Sequence, residues 1–233
     1  MPPLIAVELR ERVCDANIDL FKRGLVMGTF GNVSGVDREQ GLFVIKASGV
    51  PYEQLTVDHM VPISLETGEA LEDDFRPSSD TPTHHEIYKA FPCGGIAHTH
   101  SEYATSFAQA LTPIICMGTT HADHFRGDVP VTRAMTPVEV EADYERNTGL
   151  VIVEAFRDRS ADEIGAVLVA HHGPFTWGDD AAHAVDNSEI LEYLARMEAT
   201  RRLVNANAAR PASHLIDKHF FRKHGDRAYY GQG

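Results

Sequence analysis

The sequence predicts an α/β domain in which helices cover the faces of a mixed β-sheet. Three observations lead there. Short apolar runs such as "GLFVIKASG", "GGIAHTH" and "GAVLVAHHG" each end in glycine or polar residues, as strands do. Between them lie segments whose apolar residues recur three and four apart, the spacing of one helix face. The two kinds follow one another without the regular beat of a βαβ fold, which favours a mixed sheet with helices on its faces. No low-complexity linker or internal repeat divides the 233 residues, so a single domain over 1–233 is the simplest organisation.

The first element is a helix. Leu9, Val13, Ala16 and Leu20 follow at spacings of 4, 3 and 4, Lys22 and Arg23 fall in its last turn, and Gly24 is placed to end it. "GLFVIKASG" and "MVPISLETGE" read as strands followed by turns. "SSDTPTHHEIYKAF" opens a helix that Asp80 or Thr81 can cap, with Pro82 in its first turn. "GGIAHTH" is a short buried strand, and "SEYATSFAQA" a helix with Ser101 as cap. "GAVLVAHHG" is another buried strand. A helix starts at Asp180 with Ile190, Leu194 and Met197 on one face. The last helix covers "SHLIDKHFFRKHG", with Ser213 as cap and Gly225 as stop.

Lys and Arg number 21 against 34 Asp and Glu, a net charge of -13. That balance argues against nucleic acid or an anionic membrane as partner. It leaves room for an anionic small substrate, because backbone N–H groups bind phosphate inside an acidic protein. Cys14, Cys93 and Cys116 are few, odd in number and without a CxxC spacing, which points to a reducing, cytoplasmic setting rather than a disulfide framework. The N-terminus lacks the long apolar core of a signal peptide, and no run approaches the roughly 20 apolar residues of a membrane span.

The informative histidines end strands. His98 and His100 stand two apart after "GIA", so in a strand their rings reach one point. His171 and His172 end "AVLVA" in the same way. Each pair alone reads as a polar strand exit. Together, three imidazoles from two strands make a facial metal triad with an open position. Asp80, ahead of the first pair, suits either a helix cap or a fourth ligand. "GNVSG" at 31–35, "KASGV" at 46–50 and "PSSDTP" with Ser78 and Ser79 are polar turns or helix starts suited to a phosphomonoester, although no P-loop is present. Asp123, flanked by His121 and His124, and the tail pair Tyr229 and Tyr230 are acid/base candidates.

"GNVSGVDREQGLFVIKASGV", "RPSSDTPTHHEIYKAFP", "GGIAHTHS", "GTTHADHF", "HHGPFTWG" and "DKHFFRKHGDRAYYGQ", in unbroken order over nearly the whole chain, closely resemble the class II aldolase/epimerase family, and within it the pentulose-phosphate 4-epimerases. The resemblance implies a three-layer α/β/α domain with a mostly antiparallel sheet, assembled as a cyclic homotetramer. It implies Zn2+ on His98, His100 and His172, with Asp80 completing the site. His172 is preferred to His171 because it directly precedes Gly173, Pro174 and Phe175. Gly31, Asn32, Lys46, Ser48, Gly49, Ser78 and Ser79 match the phosphate-binding segments. Asp123 and Tyr230 match an acid/base pair and His219 a tail histidine lining the site. The tail, about 213–233, is then expected to reach a neighbouring subunit's site.

The implied reaction is epimerisation of L-ribulose 5-phosphate at C4 to D-xylulose 5-phosphate, by retro-aldol cleavage and re-addition. The rival readings are a class II sugar-phosphate aldolase acting on a substrate such as L-fuculose phosphate, and a non-catalytic adducin-like binding module. Aldolases of the family carry Glu where this chain has Asp80, which favours the epimerase. The departures are Ala170, Glu102 and His124, none of them at a matched metal or acid/base position. They bear on substrate preference rather than on reaction class.

Overall fold

The computed structural model of the chain describes residues 5–225 and 228–230. Six strands form one sheet: β1 (Asn32–Asp37), β2 (Leu42–Lys46), β3 (Met60–Ser64), β4 (Gly95–His98), β5 (Ala166–Leu168) and β6 (Pro174–Gly178), in the order β3-β2-β1-β4-β6-β5. Every ladder between these strands is antiparallel. The parallel component is a single bridge, Val131 to Leu168, at the β5 edge. The helices are α1 (Val7–Lys22), α2 (Thr81–Ala90), α3 (Glu102–Gln109), α4 (Thr119–Ala122), α5 (Pro137–Ala155), α6 (Ala181–Asn205) and α7 (Ser213–Phe221).

The three layers follow from strand alternation. Leu42 and Val44 of β2 face one way and pack with Leu9, Val13 and Leu20 of α1 and with Ala184 and Val185 of α6. Phe43 and Ile45 face the other way, toward Ile87 and Tyr88 of α2 and Ile152 of α5. A strand covered on both faces has no polar alternation, which is why "LFVIK" is buried throughout. Each such side chain contributes about 1.5–3 kcal/mol by leaving water.

Four of these elements, β1, β6, α4 and α5, have no counterpart in the sequence reading. β1, read as a glycine-bearing turn, is an inner strand of the sheet. β6 follows the second histidine pair, and α5 begins with a capping box in which Thr136 and Glu139 exchange hydrogen bonds. At Asp143 the backbone of α5 leaves helical geometry (φ −153°, ψ 78°). Several boundaries differ as well. Ser213 is the first residue of α7 and not its cap, and α7 stops at Phe221, before Gly225. Ser101 and Asp80 occupy cap positions, but neither side chain caps its helix. β4 ends at His98 and β5 at Leu168, so His100, His171 and His172 lie in the turns beyond.

Candidate active site

A cavity of about 360 Å³ opens at the ends of β1, β2 and β4 beside the start of α2. One wall is imidazole. The donor atoms of His98, His100 and His172 all lie within 4.8 Å of one another, and the two Nε2 atoms of His98 and His100 are 3.1 Å apart. The sheet makes this convergence. β4 pairs with β6 so that His98 sits opposite Phe175, and the β5–β6 turn returns His172 to the same end. The Phe175 ring stacks on His98 at 4.2 Å.

Tautomers favour a metal. His98 Nδ1 is 2.9 Å from the Pro174 carbonyl, which only accepts, so Nδ1 carries the hydrogen and Nε2 presents its lone pair. Tyr144 Oη lies 3.5 Å from His172 Nδ1. Burial lowers the pKa of His98 and His100, and that of His172 to about 4, so all three are neutral near pH 7. Three neutral nitrogen donors within reach of one point fit Zn2+ with a position left open. His171 takes no part. It is exposed and sits at φ 61° in the turn.

Asp80 lies in the cavity wall, where its carboxylate accepts from Asn32 Nδ2 at 2.7 Å rather than from the helix N-terminus. Burial opposes its ionisation, while His98, His84 and the Asn32 amide outweigh burial and hold its pKa below the ordinary range. Since burial keeps those imidazoles neutral, the Asn32 hydrogen bond is the cause to credit. The other Asn32 amide hydrogen goes to Ser78 Oγ at 3.1 Å. The two strands set this up, because Asn32 of β1 pairs with His98 of β4.

The opposite wall is suited to an anion. Lys46, at the end of β2 and 2% exposed, places Nζ 3.3 Å from its neighbour's carbonyl and 4.9 Å over the Tyr52 ring. Burial lowers its pKa to about 8. Ser48, Gly49, Ser78 and Ser79 line the same space. Gly31 has φ +77°, and a Cβ there would stand 2.6 Å from Val26 Cγ1 and 2.7 Å from the His98 carbonyl. Only glycine lets this turn approach the strand that carries His98.

The structure thus gathers Gly31, Asn32, Lys46, Ser48, Gly49, Ser78, Ser79, Asp80, His98, His100 and His172 around one cavity. Asp123, His219 and Tyr230 are not among its lining residues. They form a second cluster in which Asp123 accepts from His219 Nδ1 at 2.9 Å and from Arg222 at 2.7 and 3.0 Å. The Arg222 guanidinium lies 4.5 Å over the Tyr230 ring. Burial again opposes ionisation of Asp123, and the Arg222 and His219 hydrogen bonds prevail, so its carboxyl is held low. Within the expected tail, 226–227 and 231–233 lie outside the described residues. Sequence reasoning missed Tyr144 and Glu145, which also line the cavity. They follow the break in α5 at Asp143, and no periodicity marks them.

Residues 11–199 match the class II aldolase and adducin N-terminal domain family. The chain belongs to that family. Its fold is similar to that of an L-fuculose 1-phosphate aldolase, with a TM-score of 0.77 at 22% identity over 93% of this chain and 96% of the other. It is also similar to YgbL of Klebsiella pneumoniae, assigned provisionally as an aldolase, epimerase or decarboxylase, with a TM-score of 0.71 at 28% identity over 93% and 99%. An L-fuculose-1-phosphate aldolase from Thermus thermophilus matches with a TM-score of 0.67 at 24% identity over 88% and 98%. Among the described residues, no helix is long and apolar enough to cross a membrane.

Proposed function

We propose that this chain is a zinc-dependent sugar-phosphate enzyme that inverts C4 of L-ribulose 5-phosphate to give D-xylulose 5-phosphate. The observation that supports it is one cavity with three converging imidazoles on one wall and a buried lysine among serine-bearing turns on the other. The substrate's C4 hydroxyl is β to its C2 ketone, so breaking C3–C4 is an aldol cleavage, whereas the C4 hydrogen itself is not acidic. Zinc on His98, His100 and His172, with Asp80 beside them, would supply a Lewis acid for the negative charge left on the ketone fragment. Lys46, Ser48, Gly49, Ser78 and Ser79 would hold the phosphate of the aldehyde fragment, with Gly31 and Asn32 shaping that end. Held there, the aldehyde can turn and present its other face without escaping.

Inversion also needs a group to take the C4 hydroxyl proton and another, on the opposite side, to return one. Asp123 and Tyr230 are proposed for these roles, with His219 orienting Asp123. That neither lines the cavity of its own chain agrees with a homotetramer in which this cluster serves a neighbouring site. On this reading, residues 1–233 act as one domain and work in the cytoplasm. The aldolase reading fits the same cavity equally well, because cleavage without re-addition needs the same metal and phosphate walls.

The products decide between them. L-ribulose 5-phosphate should give D-xylulose 5-phosphate with little free glycolaldehyde phosphate. Net release of the aldehyde, or turnover of L-fuculose 1-phosphate alone, would establish the aldolase. No turnover of either substrate by zinc-loaded protein would leave the adducin-like reading.

A further inference from the structure

Behind the cavity, three buried side chains form a polar line with one end open. Tyr88 Oη and Ser34 Oγ are 2.7 Å apart, and Ser34 Oγ and His84 Nδ1 are also 2.7 Å apart. Their residues are no more than 1% exposed. His84 Nε2 is buried and has no hydrogen-bond partner among the described residues. His84 lies one helical turn from Asp80, whose carbonyl accepts its backbone N–H, and residues four apart on a helix are neighbours. The charged and titratable groups acting on its ring are Asp80 and His98.

Counting hydrogens fixes the tautomer. In neutral form the three groups bring one hydrogen each, and the two links use two. If Nδ1 carried the ring hydrogen, a hydroxyl hydrogen of Ser34 or Tyr88 would be left over in the core. The Nε2 lone pair would then lack a donor, with the Asp80 charge acting on the ring. If Tyr88 donates to Ser34 and Ser34 to Nδ1, the remaining hydrogen is on Nε2, the ring nitrogen left without a partner. An unmade buried hydrogen bond is unfavourable, and a charged acceptor makes the best partner.

We propose that His84 is a positioning residue for Asp80, held by Tyr88 and Ser34 as the Nε2–H tautomer and offering that hydrogen to the Asp80 carboxylate in the metal-loaded protein. In this structure the Asp80 carboxylate accepts from Asn32 and His84 Nε2 does not reach it. Asn32 and His84 would then hold Asp80 from two sides, as outer partners hold the ligands of metal sites. The second half of the inference rests on the metal site proposed above. The tautomer does not.

Two measurements test it. Nitrogen-15 NMR of the metal-free protein near pH 7, with the His84 ring assigned by its loss in His84→Gln, should show the hydrogen on Nε2. A hydrogen on Nδ1 overturns the proposal. Zinc affinity is then measured by competition with a chromophoric chelator. His84→Asn keeps an amide near the Nδ1 place and removes the Nε2 donor, and should weaken zinc binding about 10–100-fold. His84→Gln restores a donor near Nε2 and should recover most of that loss. With Asp80→Asn in place, His84→Asn should add little. Equal loss with and without the Asp80 charge would make His84 merely structural and overturn the proposal. A parent protein that binds no zinc removes the metal reading and the second half of this one, whereas an Nδ1 hydrogen removes this one alone.

Discussion

Ser34→Ala removes one oxygen from the middle of the sheet, and the structure allows its effect to be worked out. Ser34 Oγ joins His84 Nδ1 and Tyr88 Oη at 2.7 Å each, among residues at most 1% exposed. Water does not reach them, so both partners lose a bond that nothing replaces. A buried polar group left unpaired costs about 1–3 kcal/mol, which gives about 2–6 kcal/mol for the two. A typical domain is stable by about 5–15 kcal/mol, so the variant should fold with a much lower urea midpoint. Tyr88→Phe should cost less, because Ser34 keeps His84 as a partner. The double variant should cost less than the sum of the two, by about 0.5–3 kcal/mol, since the hydroxyl orphaned by Ser34→Ala is then gone. Urea unfolding followed by circular dichroism at constant m-value measures all three. A Ser34→Ala cost below about 1 kcal/mol, or strict additivity, would refute the buried relay.

Lys46, lowered to about 8 by burial, is charged below that pH and neutral above it. KM for a phosphorylated substrate should therefore rise as pH passes about 8, and Lys46→Arg, which stays charged, should lose that alkaline limb. In the unfolded chain the amine keeps its proton to higher pH, so the cost of burying the charge is full below about 8 and fades above it; stability should rise with pH there. His171→Gly should bind zinc as the parent does and hold or gain about 1 kcal/mol, because φ 61° suits glycine better than histidine; zinc loss equal to that of His172→Ala would reverse the choice of ligand. Asp123→Asn and His172→Ala, each inactive alone, should recover about a quarter of parent activity when co-expressed as mixed rings, because the first keeps its cavity and the second its Asp123–Tyr230 cluster. No recovery in rings shown by mass spectrometry to be mixed would reject a shared site.

The helices and strands that the sequence reveals are those whose side chains serve only the core. α1 shows its face because Leu9, Val13, Ala16 and Leu20 are all buried, and β2 shows as an apolar run because both its faces are covered. β1 lies inside the sheet and hides for the opposite reason. Asn32 holds Asp80, Ser34 joins His84 to Tyr88, and a Cβ on Gly35 would stand 2.9 Å from Val13 Cγ2. A strand whose positions go to the site and to close helix packing has no apolar pattern left to read. α5 hides because its helical geometry breaks at Asp143 and its first turns are largely exposed, although its capping box stands in the sequence.

The same logic separates the parts of the site. Histidines that directly follow apolar runs are legible, since the run announces the strand and the strand end places the ring. That two such ends meet depends on β4 pairing with β6, a strand the sequence reading did not contain. Asp123 and Tyr230 stand in the sequence as separate acid/base candidates that only the resemblance pairs, and the structure places them in a cluster with His219 and Arg222 rather than among the residues that line the cavity. The imidazole wall and the lysine wall are what cleavage and inversion have in common. Inversion differs in needing proton donors on a further side, and His100 is exposed at the metal end. On the proposed reading, a neighbouring copy closes that side. The reaction class is then set by which acid and base the neighbour brings, while the cavity of each chain fixes only the bond that breaks and the phosphate that is held.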